Sequence, residues 1–262
     1  MKLFYRKLGN GEPLVIAHGM YGMSDNWMSA AKMLSENFEV IVPDMRNHGQ
    51  SSWADSHTYE NLAGDLTELL SEFSLENAFF IGHSMGGKAV MKLALENPNL
   101  VRKLIVADVA PKNYLYFEEK SGFDHFEILD LLRNIDFQKI KSRKDAEFFL
   151  AEKVWDEKIR QFVLKNISRE KDGSLGLKLN AAALFENLPK IAGEVFAENG
   201  QTFDREVLFV KGEKSNYICK EDHELILKLF PAAHFITVKN AGHWLHAEQP
   251  EVFTGIARKF LI

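Results

Sequence analysis

Cysteine is almost missing from this chain: Cys219 is the only one among 262 residues. No disulfide can form within the chain, which suits a reducing compartment. Long apolar runs are missing too, and nothing approaches the roughly 20 consecutive apolar residues of a membrane-spanning helix. The opening Met1-Lys2-Leu3-Phe4-Tyr5-Arg6 has no apolar stretch of the kind that marks a secretory signal. There is no internal repeat and no low-complexity segment. Charge is nearly balanced, with a formal net value of −5, so nothing draws the chain to nucleic acid or to an anionic membrane surface. Together these absences lead us to expect a cytoplasmic globular protein that binds no nucleic acid and has no stable membrane insertion. Hydrophobic residues make up 46%, enough for one sizeable core and an inserted subdomain.

Short apolar runs at 14–17, 40–42, 78–81 and 103–107 read as buried strands, and helical spacing is legible at 29–36, 59–73 and 88–96. This alternation predicts an α/β fold with a mostly parallel sheet covered by helices on both faces. From 112 to 204 no convincing buried strand is visible, and stretches such as 145–155 and 157–166 look helical, with a turn at Asp172-Gly173. Alternation resumes with strands at 207–210 and 234–238 and helices at 220–230 and 250–260. The expected organisation is therefore a core of residues 1–111 and 205–262. A helical cap, 112–204, is inserted after the strand that ends at Asp108.

Gly82-His83-Ser84-Met85-Gly86-Gly87 fits the G-x-S-x-G pattern between a strand and a helix. Such a sharp turn projects a serine hydroxyl, which makes Ser84 the candidate nucleophile. The backbone N–H of Met85, at the helix start, can face a developing oxyanion. The loop after the first clear strand, His18-Gly19-Met20, offers the N–H of Met20 as a second donor. Tyr21 and Trp244, next to the oxyanion loop and the base, are candidate substrate contacts. Among nine histidines, His243 follows the last strand, where the chain order nucleophile, acid, base places the general base. His83 is expected to point away from the elbow, and His18, His48 and His246 to be held in structural hydrogen bonds. Asp44 and Arg46 are read as fixing a loop through a local ion pair and hydrogen bonds.

These strings resemble the α/β-hydrolase superfamily over nearly the whole chain. The nearer likeness is to a branch of small esterases and acyl-CoA thioesterases, including bacterial cytoplasmic esterases and a mitochondrial relative in animals. It rests on Asp44-Met45-Arg46-Asn47-His48-Gly49, on Gly82 with the six residues that follow to Lys88, and on Gly242-His243-Trp244-Leu245-His246-Ala247-Glu248. The resemblance implies acyl transfer from an ester or thioester through an acyl-enzyme on Ser84, with no metal and no cofactor.

The triad acid is the least ordinary assignment. In this fold it usually follows the strand at 207–210 as Gly-x-x-Asp, but here Gly212-Glu213-Lys214-Ser215 puts Ser215 there. Asp108 ends the neighbouring strand, and carboxyl ends of parallel strands gather along one sheet edge. The resembling branch also places its acid at this point. Asp108 is thus the candidate acid, with Ser215 adding a hydrogen bond; Glu213 is the alternative, and Asp222 falls in the next helix. In the cap, some of Phe117, Phe123, Phe126, Phe148, Phe149 and Trp155 are candidates for an acyl pocket, and more are expected to pack cap helices together. The basic run Lys139, Lys141, Arg143 and Lys144 is read first as a solvated helix start, with the phosphates of acyl-CoA as the other option. Competing readings are carbon–carbon hydrolysis or a lyase step on the same triad, and a non-catalytic ligand-binding protein.

Overall fold

In the interior strands neighbouring side chains face opposite sides of the sheet, and both sides are buried. The computed structural model describes residues 1–115, 124–197 and 200–262. In chain order, the first half comprises β1 (Tyr5–Leu8), β2 (Glu12–Ala17), α1 (Met28–Leu34), β3 (Phe38–Pro43), α2 (Tyr59–Glu72), β4 (Ala78–His83), α3 (Met85–Glu96) and β5 (Val101–Ala107). An excursion follows, with α4 (His125–Arg133), α5 (Arg143–Ala151), α6 (Glu157–Leu164), β6 (Ile167–Arg169), β7 (Leu175–Leu177) and α7 (Ala181–Ala192). The chain then returns through β8 (Val207–Gly212), α8 (Asp222–Leu229), β9 (Ala233–Val238), α9 (Leu245–Glu248) and α10 (Pro250–Leu261).

The seven-stranded sheet has the order β1-β3-β2-β4-β5-β8-β9. Every pairing is parallel except that of β1 with β3. Val15 and Ala17 of β2 join the core beneath α2 and α3, whereas Leu14 and Ile16 pack under α1 and α10. The same split places Phe80 and Val106 on one face and Ile81 and Ile105 on the other. This is the α/β architecture expected of alternating apolar runs and helices.

Two elements depart from the sequence reading. β1 is an antiparallel edge strand whose Arg6 and Lys7 interrupt any apolar run. The excursion also carries a small hairpin, in which β6 and β7 flank the Asp172-Gly173 turn. Its strands are three residues each, too short for an apolar pattern to show.

The excursion leaves and rejoins the sheet through a neck. There the N–H of Tyr114 donates to the carbonyl of Ala192 at 2.8 Å, and that of Val195 to the carbonyl of Pro111 at 2.8 Å. The two chain crossings therefore run side by side above the carboxyl ends of the strands.

Candidate active site at the carboxyl edge of the sheet

Ser84 joins β4 to α3 with φ 53° and ψ −120°, a conformation that costs any residue other than glycine about 1–3 kcal/mol. The turn is fixed on both sides: Ser84 N–H donates to Ala107 O at 3.1 Å and Lys88 N–H to Ser84 O at 3.0 Å. Close backbone approach makes room for it. A Cβ on Gly86 would stand 2.3 Å from Ala17 O, and one on Gly19 would stand 3.1 Å from the Ser84 Cβ. The first turn of α3 and the 18–20 loop are thus pressed against the serine, and Met85 supplies a helix N-terminal N–H that has no carbonyl one turn back.

Asp108 follows β5 in a left-handed conformation, φ 55°, and is fully buried. Its N–H donates to Val210 O at 2.8 Å. Its carboxylate accepts three hydrogen bonds: Oδ1 accepts Gly212 N–H at 2.9 Å, while Oδ2 accepts the Ser215 hydroxyl and, at 2.8 Å, Nδ1–H of His243. Glu213 is exposed and accepts Asn240 N–H at 2.9 Å. Asp222 binds Lys112 Nζ at 2.8 Å and Cys219 N–H at 2.7 Å. The carboxylate beside His243 is that of Asp108. Tyr217 stacks on the His243 ring, with centroids 4.0 Å apart and planes at 18°.

His83 does not point away from this site. Its Nε2–H donates to the backbone carbonyl of His243 at 2.9 Å, with the ring centroids 4.6 Å apart. The pleat argument fails because the strand ends in the elbow turn there. His18 accepts Met45 N–H on Nε2 at 2.9 Å and donates from Nδ1 to Gly19 O at 2.8 Å, so its neutral tautomer is fixed. Burial pushes His18 down to about 4 and His48 to about 3, and depresses His83 well below its ordinary value. Burial also pushes His246 to about 3. His246 is held by stacking and not by the expected hydrogen bond: its ring lies 3.9 Å from Trp27 at 4°, and its buried Nδ1 has no partner among the described residues.

Ser84 and His243 border one pocket with Met20, Tyr21, Met85 and Trp244. Tyr59, Tyr114, Phe162, Leu188 and Ile191 give it an apolar and aromatic wall, into which Lys88 and His125 also reach. Sequence reasoning missed these residues; Phe162, Leu188 and Ile191 sit on helices whose inward faces are not legible without their partners. The cap aromatics singled out from the sequence lie elsewhere. Trp155 is 86% and Phe148 65% exposed, Phe126 packs edge-on to Phe185, and none of these or Phe149 borders the pocket. Phe117 and Phe123 fall outside the described residues. A second groove shares Tyr217, His243 and Trp244 with this pocket and is also lined by the polar and charged side chains of Ser215, Asp156, Lys158, Lys214 and Glu248.

Tyr21 links the 18–20 loop to the excursion. Its carbonyl accepts Asn166 Nδ2–H at 2.9 Å, and its hydroxyl lies 3.3 Å from His125 Nδ1. The basic run borders neither this pocket nor the groove behind it. It lies at the start of α5, where Ser142 caps the helix and Lys139 pairs with Asp136 at 3.5 Å. The Asp44 loop also differs from the expected local pair. Asp44 accepts the N–H groups of Ser24 and Gln50 at 2.6 and 2.8 Å. Arg46 instead forms a buried two-pronged pair with Asp65 of α2 at 2.6 and 2.7 Å. Backbone amides satisfy the aspartate, freeing the guanidinium for a carboxylate on another element. Among the described residues no group of three or more His, Cys, Asp or Glu side chains is placed to hold a metal ion, and no helix is long and apolar enough to cross a membrane.

The family model of the alpha/beta hydrolase fold matches residues 12–250. The sn-1-specific diacylglycerol lipase ABHD11 of Danio rerio is 34% identical over 259 residues, 97% of this chain and 79% of the relative. Esterase YbfF of Escherichia coli (strain K12) is 32% identical, over 96% of this chain and 94% of its own length. Among solved structures, a marine microorganism esterase superposes with a TM-score of 0.94 at 41% identity, covering 99% of both chains.

Proposed function

This chain belongs to the α/β-hydrolase fold family, and we propose that within it the protein is a serine hydrolase cleaving carboxylic esters through an acyl-enzyme on Ser84. The observation that carries the reading is the bond from buried Asp108 to His243, which borders the same pocket as a serine held in a strained elbow. The esterase and lipase names of the similar proteins support the same reaction class.

In the first half-reaction Nε2 of His243 removes the Ser84 hydroxyl proton as the oxygen attacks the ester carbonyl. The carbonyl π pair moves to oxygen, where the N–H groups of Met20 and Met85 receive the charge. The Asp108 carboxylate keeps Nδ1 protonated and stabilises the imidazolium. Collapse of the intermediate breaks the bond to the leaving oxygen, which takes the proton from Nε2. Water then repeats the sequence on the acyl-enzyme and releases the acid. Ser215, donating to Asp108, and Tyr217, stacked on the imidazole, orient the pair.

The leaving group must lie on the base side of the serine to receive that proton. The apolar pocket walled by Phe162, Leu188 and Ile191 then takes the acyl chain, and the polar groove beyond His243 takes the alcohol and admits water. The excursion, 112–204, serves as a cap over the acyl chain. A thioester carbonyl undergoes the same attack, so acyl thioesters, acyl-CoA included, belong in the substrate panel.

The test is a fluorophosphonate probe with a panel of p-nitrophenyl esters and acyl thioesters. Stoichiometric labelling at Ser84, lost in Ser84→Ala together with turnover, is the expected result. A folded protein that is neither labelled nor active on any acyl donor would overturn the reading in favour of a binding role. EDTA leaves the rate unchanged under this mechanism.

A further inference from the structure

Lys88 stands one turn into α3, in the string that carries the elbow, yet it is only 2% exposed. Its ammonium lies inside the neck of the excursion. All three N–H bonds are used: on Lys112 O at 2.8 Å, where the chain leaves the sheet, and on Ala192 O at 3.1 Å and Gly193 O at 2.5 Å, where it returns. Tyr114 covers the cation at 4.7 Å from its ring centre and Tyr59 at 5.7 Å. Three donors on three carbonyls is the full capacity of an ammonium, so none is left for a substrate. Burial pushes Lys88 down to about 7, opposed by Glu194 and reinforced by Lys112.

We infer that Lys88 is a positioning residue that pins both chain crossings of the neck to the elbow helix and thereby sets the deep wall of the acyl pocket. α7 ends at Ala192, one of the pinned carbonyls, and contributes Leu188 and Ile191 to that wall. The Tyr59 hydroxyl donates to the carbonyl of Ile191, the preceding residue. The wall is therefore held from α2 and α3, the core helices beneath it. A buried lysine stem without its charge would leave three carbonyls facing an apolar space, a costly arrangement that opens the neck. The inference rests on the acyl-pocket reading above.

The test is a comparison of KM for octanoate and acetate esters in Lys88→Met. The octanoate chain reaches the deep wall and acetate does not. The ratio of the two KM values is expected to rise about tenfold, the scale of a wall displaced by a fraction of an ångström. Rescue separates this role from general destabilisation. Lys88→Cys, made with Cys219→Ser and alkylated by bromoethylamine before refolding, carries an amine at the same reach. It should return the ratio to within about twofold of the parent, whereas the unalkylated protein should not. An unchanged ratio in folded Lys88→Met, or alkylated protein no better than unalkylated, overturns the inference. A measurement on the unaltered protein needs no variant to fold: a proton–nitrogen correlation spectrum at about pH 6, below the Lys88 value, should show slowly exchanging Nζ hydrogens, and their absence also overturns it. Wild-type protein that shows these hydrogens but hydrolyses neither ester sinks the proposed activity and leaves the pin standing.

Discussion

Oδ2 of Asp108 lies 2.8 Å from Nδ1 of His243, although the two residues are 135 positions apart in the chain. Nothing local brings them together. They meet because β5 and β9 are both tied to β8 and run the same way, so that the loops after them leave from one edge. The proposed mechanism makes this contact the source of the imidazole's orientation. Asp108→Asn offers Nδ1–H an amide in place of a carboxylate and can favour the wrong tautomer; turnover should fall by about 10³–10⁴-fold. Glu213→Gln should change it less than about twofold, because that carboxylate caps a backbone N–H away from the base. Ser215→Ala should cost about three- to tenfold, about 1 kcal/mol, because the Asp108 carboxylate keeps its bonds to Gly212 and His243. Steady-state kinetics of the three variants decides: a crippled Glu213→Gln beside a near-normal Asp108→Asn would exchange their roles.

Strain at the elbow predicts a stability effect opposite to the effect on activity. Glycine tolerates the backbone angles of Ser84, so Ser84→Gly should unfold about 2–4 °C higher than the parent, matching a relief of about 1 kcal/mol. Ser84→Ala keeps the strain and should melt near the parent. Both should be inactive. Calorimetry distinguishes them, and a Ser84→Gly protein less stable than Ser84→Ala would show that the turn is unstrained.

Asn166 donates to the carbonyl of Tyr21 from the excursion, next to the residue assigned as an oxyanion donor. Asn166→Ala leaves the 18–20 loop less firmly placed without removing its N–H groups. The expected loss is about tenfold, carried by kcat rather than KM, and smaller than the 10²–10³ that follows deletion of a donor. A change confined to KM would assign Asn166 to substrate binding instead.

The buried histidines set the acid limit of stability. An unfolded histidine titrates near 6.5, whereas burial holds His246 at about 3 and His18 at about 4. The unfolded state therefore binds more protons throughout that interval. Stability is fully present above about 6.5 and is lost as pH falls towards the folded values, by up to about 1.4 kcal/mol per pH unit for each such group. His246→Phe keeps an aromatic ring against Trp27 and removes an unpartnered nitrogen. Urea unfolding between pH 6 and 5 should show a slope shallower by about one proton, with stability at neutral pH equal or higher. An unchanged slope would mean that His246 is charged in the folded protein.

The core and the elbow were open to sequence reasoning because each depends on local pattern. β4 is a continuous apolar run, and glycines two positions either side of Ser84 announce a close-packed turn. Asp108 is a candidate because Ser215 cannot carry a charge and because the resembling branch places its acid there, while Glu213 stays open at the level of sequence. Features that depend on a distant partner were not legible. β1 gains its identity only from pairing with β3, and Arg46 finds its carboxylate 19 positions away on α2. Phe162 and Phe148 look alike in the sequence, and only the packed helices decide which faces the pocket. Lys88 gives no sign of its burial in the sequence, because the carbonyls that hold it belong to Lys112, Ala192 and Gly193.

The neck has a consequence for how such a protein can change. Because Tyr114 and Ala192 are bonded to each other, the chain leaves and re-enters the core at neighbouring points, and the segment between is a loop whose ends already touch. The entropy of closing such a loop grows only with the logarithm of its length, by about 0.6 kcal/mol for each doubling. Helices can be inserted, shortened or replaced beyond that bond while the distance the core must bridge stays the same. The sheet and the helices beyond the neck can therefore vary largely apart, so long as the few ties between them, such as Asn166 to Tyr21, are kept.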